Sequence, residues 1–336
     1  MSSGVIDGRR VAVTGARTFL GREVLRRLDA DPRYHAVLAL DVEDPGIAGD
    51  TIRFEHVDLT VPTVGAQLLS ILRDHRIDTV VHGAYLTFPT HAHAWAHELE
   101  DVGTMHVLDA CAAARPARLI QLSTTLVYGA NPDNPNFISE DRRLVSRGAG
   151  FIGDKVRADL QTGRFAEDNR DVATAQLRFA PLLGPTVDGL FTRFFRPPAA
   201  PVMMGFDPLM QFVHEHDAVV ALKACIDREP PVRGPVNVVG RGVLPYTTVL
   251  ALMGKLRLPV PHLVARSVAR AAWSTQLGKT PPVLLDFLRY QCVADGRRAQ
   301  QTLGFRAEYD QRQIALDFLG VTGEDGIVDL AQAGVP

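Results

Sequence analysis

RVAVTGARTFLGREVLRRL, residues 10–28, decides the fold. Val11 and Val13 sit in a short β-branched run of the kind that forms a buried strand. Gly15 then permits a tight turn, and Phe19, Leu20, Val24, Leu25 and Leu28 recur at helical spacing. A strand passing through a glycine turn into a helix leaves the first helical N–H groups unpaired. With the positive end of the helix dipole, those N–H groups at Thr18, Phe19 and Leu20 suit a pyrophosphate. Gly21 lets the helix pack close to the strand. The usual middle glycine of such a loop is replaced by Thr18.

The same alternation continues outward. HAVLALD (35–41), IRFEHVD (52–58), DTVVHGA (78–84) and RLIQLST (118–124) read as strands. VGAQLLSILRDH (64–75) and HELEDVGTMHVLDACAAA (97–114) read as helices, and VATAQLRFA (172–180) and PVNVVG (235–240) as later strands. The order predicts an α/β fold with a doubly wound, parallel Rossmann sheet and a smaller C-terminal substrate lobe. The expected boundaries are 8–185 for the nucleotide domain, with a late strand near 235–240, and 186–330 for the lobe. RPPAAP and EPPVRGP mark breaks in the second half.

Asp41 ends the second strand, where a carboxylate bonds a ribose 2′-hydroxyl and repels a 2′-phosphate. Asp58 ends the third and is placed to meet an adenine edge. These positions predict NAD as cofactor. Arg17, beside the phosphates, leaves room for NADP.

The chain has 336 residues, 46% hydrophobic and 22% charged, with a net charge of -2. That balance gives no reason to expect nucleic acid or an anionic membrane as a partner. No apolar run approaches the roughly 20 residues that span a bilayer, and no apolar segment of a signal peptide precedes the first strand. Cys111, Cys225 and Cys292 form no CxxC pair and are expected to be reduced. The expectation is a cytoplasmic protein acting on a small molecule. The basic residues are almost all arginine, and the only lysines are Lys155, Lys223, Lys255 and Lys279.

TGARTFLG (14–21), Asp41, VDLT (57–60), VVHGA (80–84) and LSTTLVYG (122–129) occur in an order and spacing that resemble the extended short-chain dehydrogenase/reductases. This is the NAD-dependent epimerase/dehydratase family, which includes UDP-glucose 4-epimerase. LRFAPLLGP (177–185), QFVHEHDAV (211–219), VNVVGRG (236–242) and DGRRAQQTLGF (295–305) are similar to its C-terminal landmarks. The resemblance implies cofactor contacts at Gly15, Arg17, Thr18, Phe19, Leu20, Gly21, Asp41, Asp58, Leu59, Gly83, Ala84 and Lys155.

It also implies a catalytic set. The family places a Ser/Thr at the end of a strand, here Thr124, and a Tyr-x-x-x-Lys pair on a helix about 25 residues on. In the family the phenol exchanges a proton with substrate while the lysine lowers its pKa and bonds the nicotinamide ribose. Here the pair is Phe151-Ile-Gly-Asp-Lys155, and no other Tyr-x-x-x-Lys occurs. GFIG (150–153) follows VSRGA rather than a strand and is therefore no dinucleotide loop. Thr124 and Lys155 remain as catalytic candidates. Tyr128 of the VYG motif is the first replacement phenol, and Tyr85 the second.

Two further departures argue against a nucleotide-diphosphate sugar. Pro181 stands where the family has a substrate-contacting asparagine, and Met210 where it has a diphosphate-gripping arginine. Met203, Met204, Phe206 and Met210 suggest an apolar pocket, or equally a lobe core. His91, His93 and His97 read as surface histidines, with no metal site expected, and Asp154 as a solvated helix residue. Arg266 and Arg270 read as one face of a lobe helix. Helices 97–114 and 150–167 are expected to form a homodimer contact through Met105, Val107, Leu108, Phe151, Ile152 and Leu160.

Three functions stay open at this stage. The first is an NAD(P)-dependent oxidoreductase or epimerase acting on a small hydroxylated or keto metabolite. The second is a non-catalytic NAD(P)-binding sensor or complex component, and the third a non-redox dehydratase or lyase on the same scaffold.

Overall fold

The structure, a computed structural model, describes residues 8–144, 150–276 and 281–320. Residues 145–149, Lys279 and the expected end of the lobe at 321–330 lie outside the described residues.

Strands β1 (Arg9–Thr14), β2 (Tyr34–Asp41), β3 (Ile52–His56), β4 (Thr79–His82), β5 (Arg118–Thr124) and β6 (Ala173–Phe179) are parallel neighbours in the order β3-β2-β1-β4-β5-β6. Their side chains alternate between two cores, because successive Cβ atoms of a strand point to opposite faces. Val11, Val13, Val37 and Ala39 pack with α1 (Phe19–Asp29) on one face. Ala12, Leu38 and Leu40 pack on the other with α2 (Val64–Asp74). Each face needs its own layer of helices, so the sheet is doubly wound.

The helix before β5 is not uniform. It runs as α3 (His93–His97), a π turn (Glu98–Val102) and α4 (Gly103–Ala114). After β5 the chain reaches α5 (Phe151–Asp168), the long helix carrying Lys155.

The second half weaves between lobe and sheet. β7 (Leu182–Leu183), α6 (Leu190–Phe195), β8 (Ala199–Met203), β9 (Leu209–Met210) and β10 (Val213–His214) start the lobe. α7 (Glu215–Asp227) returns to the main core, where Ala218, Leu222 and Ile226 pack with Leu25 and Leu28 of α1. β11 (Gly234–Val238) then pairs with β6 as the seventh strand of the sheet. In the lobe, β12 (Leu244–Pro245) pairs with β9 and β13 (Leu256–Val260) with β8, around α8 (Tyr246–Leu252) and α9 (His262–Ser274). α10 (Arg297–Thr302) closes on the main core through Ala299. Met203 and Met210 are buried with Phe195, Phe212 and Tyr246, while Met204 is exposed, so the methionines build lobe core and not a ligand pocket.

A buried polar network locks α5 to the sheet. Arg178 of β6 donates from Nη2 to Asp159 Oδ1 at 2.6 Å and from Nε to Oδ2 at 3.0 Å. Asp159 also accepts from the Ser123 hydroxyl of β5 at 2.6 Å. Arg178 Nη1 donates to the Tyr128 hydroxyl at 3.0 Å, which donates in turn to Asn237 Oδ1 of β11 at 2.7 Å. Removing one partner of such a pair strands the other charge in the interior. Arg178→Met is therefore expected to cost about 3–5 kcal/mol of folding stability, read as a lower urea midpoint; an unchanged midpoint contradicts the assignment.

Candidate active site

Thr14 and His82 stand opposite one another at the ends of β1 and β4, and Thr124 ends β5 next to them. A groove and a cavity share this edge of the sheet. The groove, about 950 Å³, is lined by Gly15, Arg17, Thr18, Phe19, Asp41, Asp58, Leu59 and Ala84. The cavity, about 110 Å³, is lined by Leu20, Tyr85, Glu100, Gln121, Thr124, Phe151 and Lys155. Phe19, Ala84, Tyr85, Leu86, Thr87 and Asp188 line both, so the two adjoin.

The groove is built by close backbone approach. Gly15 has φ +68°, and a Cβ there would lie 2.3 Å from the Gly83 carbonyl oxygen. Thr18 caps α1, accepting from Gly21 N–H at 3.1 Å and donating to Gly15 O at 2.7 Å. A Cβ on Gly21 would lie 2.3 Å from Gly15 O, so the helix sits as near the turn as a backbone can. Asp41 accepts from the backbone N–H of Arg17 at 2.9 Å and of Val42 at 2.8 Å. The Arg17 guanidinium pairs with Glu43 at 2.7 Å. Asp58 accepts from Thr60 N–H and hydroxyl at 2.9 and 2.7 Å, which fixes the turn carrying Leu59.

In the cavity, Thr124 Oγ1 accepts from Leu126 N–H at 3.3 Å, and the residue is partly buried. The Lys155 ammonium donates to Leu86 O at 2.8 Å and to Glu100 Oε1 at 2.6 Å. It also lies over the Phe151 ring at 4.6 Å and the Tyr85 ring at 5.0 Å. Burial raises the carboxyl pKa of Glu100, with Lys155 opposing that shift and Asp154 adding to it. Burial likewise raises the phenol pKa of Tyr85.

Three readings from the sequence are corrected. Tyr128 does not line the cavity; its hydroxyl is spent on Asn237 and Arg178, so it is no replacement for the missing phenol. Asp154 is buried, paired with Arg157 and accepting from His97 at 2.9 Å. Val107 and Leu108, read as dimer surface, pack in the chain's own core, and among the six residues named only Met105 is exposed. His91 stacks on Trp273 at 3.9 Å, and His97 turns to Asp154 rather than to His93. His97, Asp101 and Asp154 lie close enough for a metal, but Arg157 already pairs with both carboxylates.

Two residues absent from the sequence reading belong to the site. Glu100 is one. His82 is the other: its ring bonds Thr14 Oγ1 at 2.8 Å and Thr104 Oγ1 at 3.0 Å, and Thr104 donates to Glu100 O at 2.5 Å. Both lie inside patterns, VVHGA and a helical repeat, that pass as ordinary strand and helix.

The model of the NAD dependent epimerase/dehydratase family matches residues 11–239. The chain belongs to this family. An uncharacterised protein of Mycobacterium tuberculosis is 29% identical over 334 residues, covering 95% of this chain and 85% of the relative. A 3-diazoavenalumate denitrifying reductase from Streptomyces sp is 30% identical over 233 residues, 66% of this chain and 73% of that protein. Among solved structures, MoeE5 in complex with UDP-glucuronic acid and NAD superposes with a TM-score of 0.71 at 22% identity, over 92% of this chain and 97% of that one. That likeness places the epimerase/dehydratase fold on this chain from the first strand to the lobe.

Burial depresses the His82 pKa from 6.5 to about 4. Between those values the unfolded chain binds a proton that the native chain refuses, so stability falls as pH drops through this window. The loss is on the order of 3 kcal/mol at full development. Urea midpoints measured from pH 7 to pH 4 are expected to fall more steeply for the native sequence than for His82→Asn; equal slopes contradict this.

Proposed function

We propose that the chain binds NAD(H) along the groove and acts as an oxidoreductase or epimerase on a small hydroxylated or keto metabolite in the cavity. The observation that carries this reading is that the groove of Gly15 and Asp41 adjoins, through shared walls, a cavity lined by both Thr124 and Lys155. The groove fits a dinucleotide: Gly15 lets the turn after β1 lie against the Gly83 backbone where no side chain fits, and the α1 N-terminus supplies N–H groups to a pyrophosphate. The nicotinamide, when bound, would supply or take up a hydride.

The chain's own residues divide the remaining work. Asp41 would receive the adenosine ribose, and Glu43, by holding Arg17, denies that arginine to a 2′-phosphate. The third proton of the Lys155 ammonium is left for the nicotinamide ribose. Thr124 would bond the reacting oxygen and fix its distance from the nicotinamide. The cavity walls are mostly apolar, with Leu20, Leu86, Phe151, Phe179, Leu182 and Phe191. Met210 is buried in lobe core and Pro181 lines the cavity, so neither gives a sugar nucleotide the polar grip that the family uses.

Phe151 favours a second reading, a non-catalytic NAD(H)-binding sensor. Hydride transfer across a panel of small alcohols and ketones separates them. Turnover by the native sequence, lowered about 10²–10³-fold in Thr124→Val, supports the enzyme; NAD binding without turnover on any of them supports the sensor.

For the cofactor, calorimetric titration is expected to show NAD(H) binding more tightly than NADP(H). Asp41→Ser should narrow the gap by about tenfold, or about 1.4 kcal/mol. Tighter NADP(H) binding by the native sequence sinks the assignment.

The outer side of α4 and α5, with Met105 exposed, would form a two-fold homodimer contact. Light scattering at micromolar concentration should then read twice the chain mass of 36.7 kDa; the single mass overturns it.

A further inference from the structure

Glu100 is 3% exposed and sits on the π turn between α3 and α4. Its Oε1 is saturated, accepting from Leu86 N–H and from the Lys155 ammonium, both at 2.6 Å. Its Oε2 is buried and has no partner, although the side chain forms part of the cavity wall with Thr124 and Lys155. Gln121 Oε1, on β5, is a second buried oxygen without a partner in the same wall. A buried polar atom left bare costs about 1–3 kcal/mol, so two in one cavity mark a place that a polar group of a bound substrate completes.

We propose that Glu100 exchanges the proton with the substrate oxygen, in place of the phenol missing at position 151, with Lys155 as its charge partner. This rests on the NAD-dependent reading above. In the reducing direction, a nicotinamide dinucleotide, when bound, would supply the hydride to the carbonyl carbon. The C=O π pair moves to oxygen and takes the proton from Glu100 Oε2. The O–H bonding pair stays on the carboxylate, which the Lys155 ammonium neutralises, and solvent returns the proton. Carbonyl, hydride and one proton give the alcohol; the oxidising direction reverses each step.

Burial, the largest influence on this carboxyl, raises its pKa and so favours the protonated form. Lys155 favours the carboxylate, while burial and the Asp154 charge favour the acid. Tyr85 and His82 also line the cavity: burial holds Tyr85 as a phenol and His82 as neutral imidazole, so neither supplies a competing cation. Asp101, on the same turn, is engaged by Arg157 at 2.6 Å, and His97 bonds Asp154 at 2.9 Å. Phe151 leaves one face of Lys155 covered by an apolar ring, so the ammonium's polar contacts concentrate on Glu100 and Leu86 O.

The test combines an infrared and a kinetic arm on the full chain. Infrared difference spectra against Glu100→Gln, an isosteric change, should show a protonated-carboxyl band in the native sequence without any cofactor present. Glu100→Gln should lower kcat about 10²–10⁴-fold, abolish one ionisation in the pH profile of kcat/KM, and leave NADH affinity within about twofold. Adding Phe151→Tyr to Glu100→Gln should restore turnover, since the phenol then stands beside Lys155. Glu100→Asp covers the case in which the glutamine variant fails to fold: it keeps the carboxyl, so kcat falls while the ionisation persists. A protein that binds NADH and turns over equally well with Glu100→Gln overturns this inference alone, as does absence of the infrared band. A native sequence that binds no NAD(H) overturns the functional reading and this inference with it.

Discussion

The contact on which the site depends is the approach of Gly15 to the Gly83 carbonyl, so close that a Cβ would lie 2.3 Å from the oxygen. Because β1 and β4 are parallel neighbours with Thr14 opposite His82, the chain leaving each strand turns at the same level. The turn after β1 can then lie directly on the turn after β4, and α1 starts over the sheet instead of beside it. That arrangement joins groove and cavity. Thr14, His82 and Thr104 carry the same alignment into the helix bearing Glu100 through three hydrogen bonds, the last of which ends on Glu100's own carbonyl.

A second constraint acts from below. Arg178 and Asp159 clamp α5 to β5 and β6, and Ser123, one residue before Thr124, is tied into the same clamp. Lys155 lies one helical turn before Asp159, so its direction follows from an ion pair outside the cavity. Arg178 thus serves geometry, while Pro181 lines the cavity and Met210 is buried in the lobe core.

Much of this was legible in the sequence. All seven strands of the sheet, with α1, α2 and the helix before β5, follow from β-branched runs and helical repeats, because burial on two faces writes itself into local pattern; α5 followed from the family resemblance, and α7 was not read from the sequence. Gly15, Asp41 and Asp58 were legible for the same reason: each sits at a strand end where topology fixes its surroundings. Side-chain direction was not. Tyr128 belongs to a recognisable motif, but its hydroxyl answers to Asn237 and Arg178, which lie 109 and 50 residues away. Asp154 looked solvated because its partner His97 is 57 residues off. Glu100 looked like one acid among several on an amphipathic helix; it lies on a π turn that buries it, and no local composition announces such a turn.

That π turn has a consequence for how the site tolerates change. Each residue of a helix advances the azimuth by about 100°, and a π turn inserts one residue beyond the regular period. α3 and α4 therefore share a direction but not a phase, and the whole angular offset is spent between Glu98 and Val102. A one-residue deletion there would restore a regular helix with its apolar stripe nearly intact and the fold preserved. The carboxyl at position 100 would be turned to another side. The helix holds its chemistry as a dislocation in an otherwise periodic object, which insertion and deletion can switch and which substitution alone reaches only indirectly.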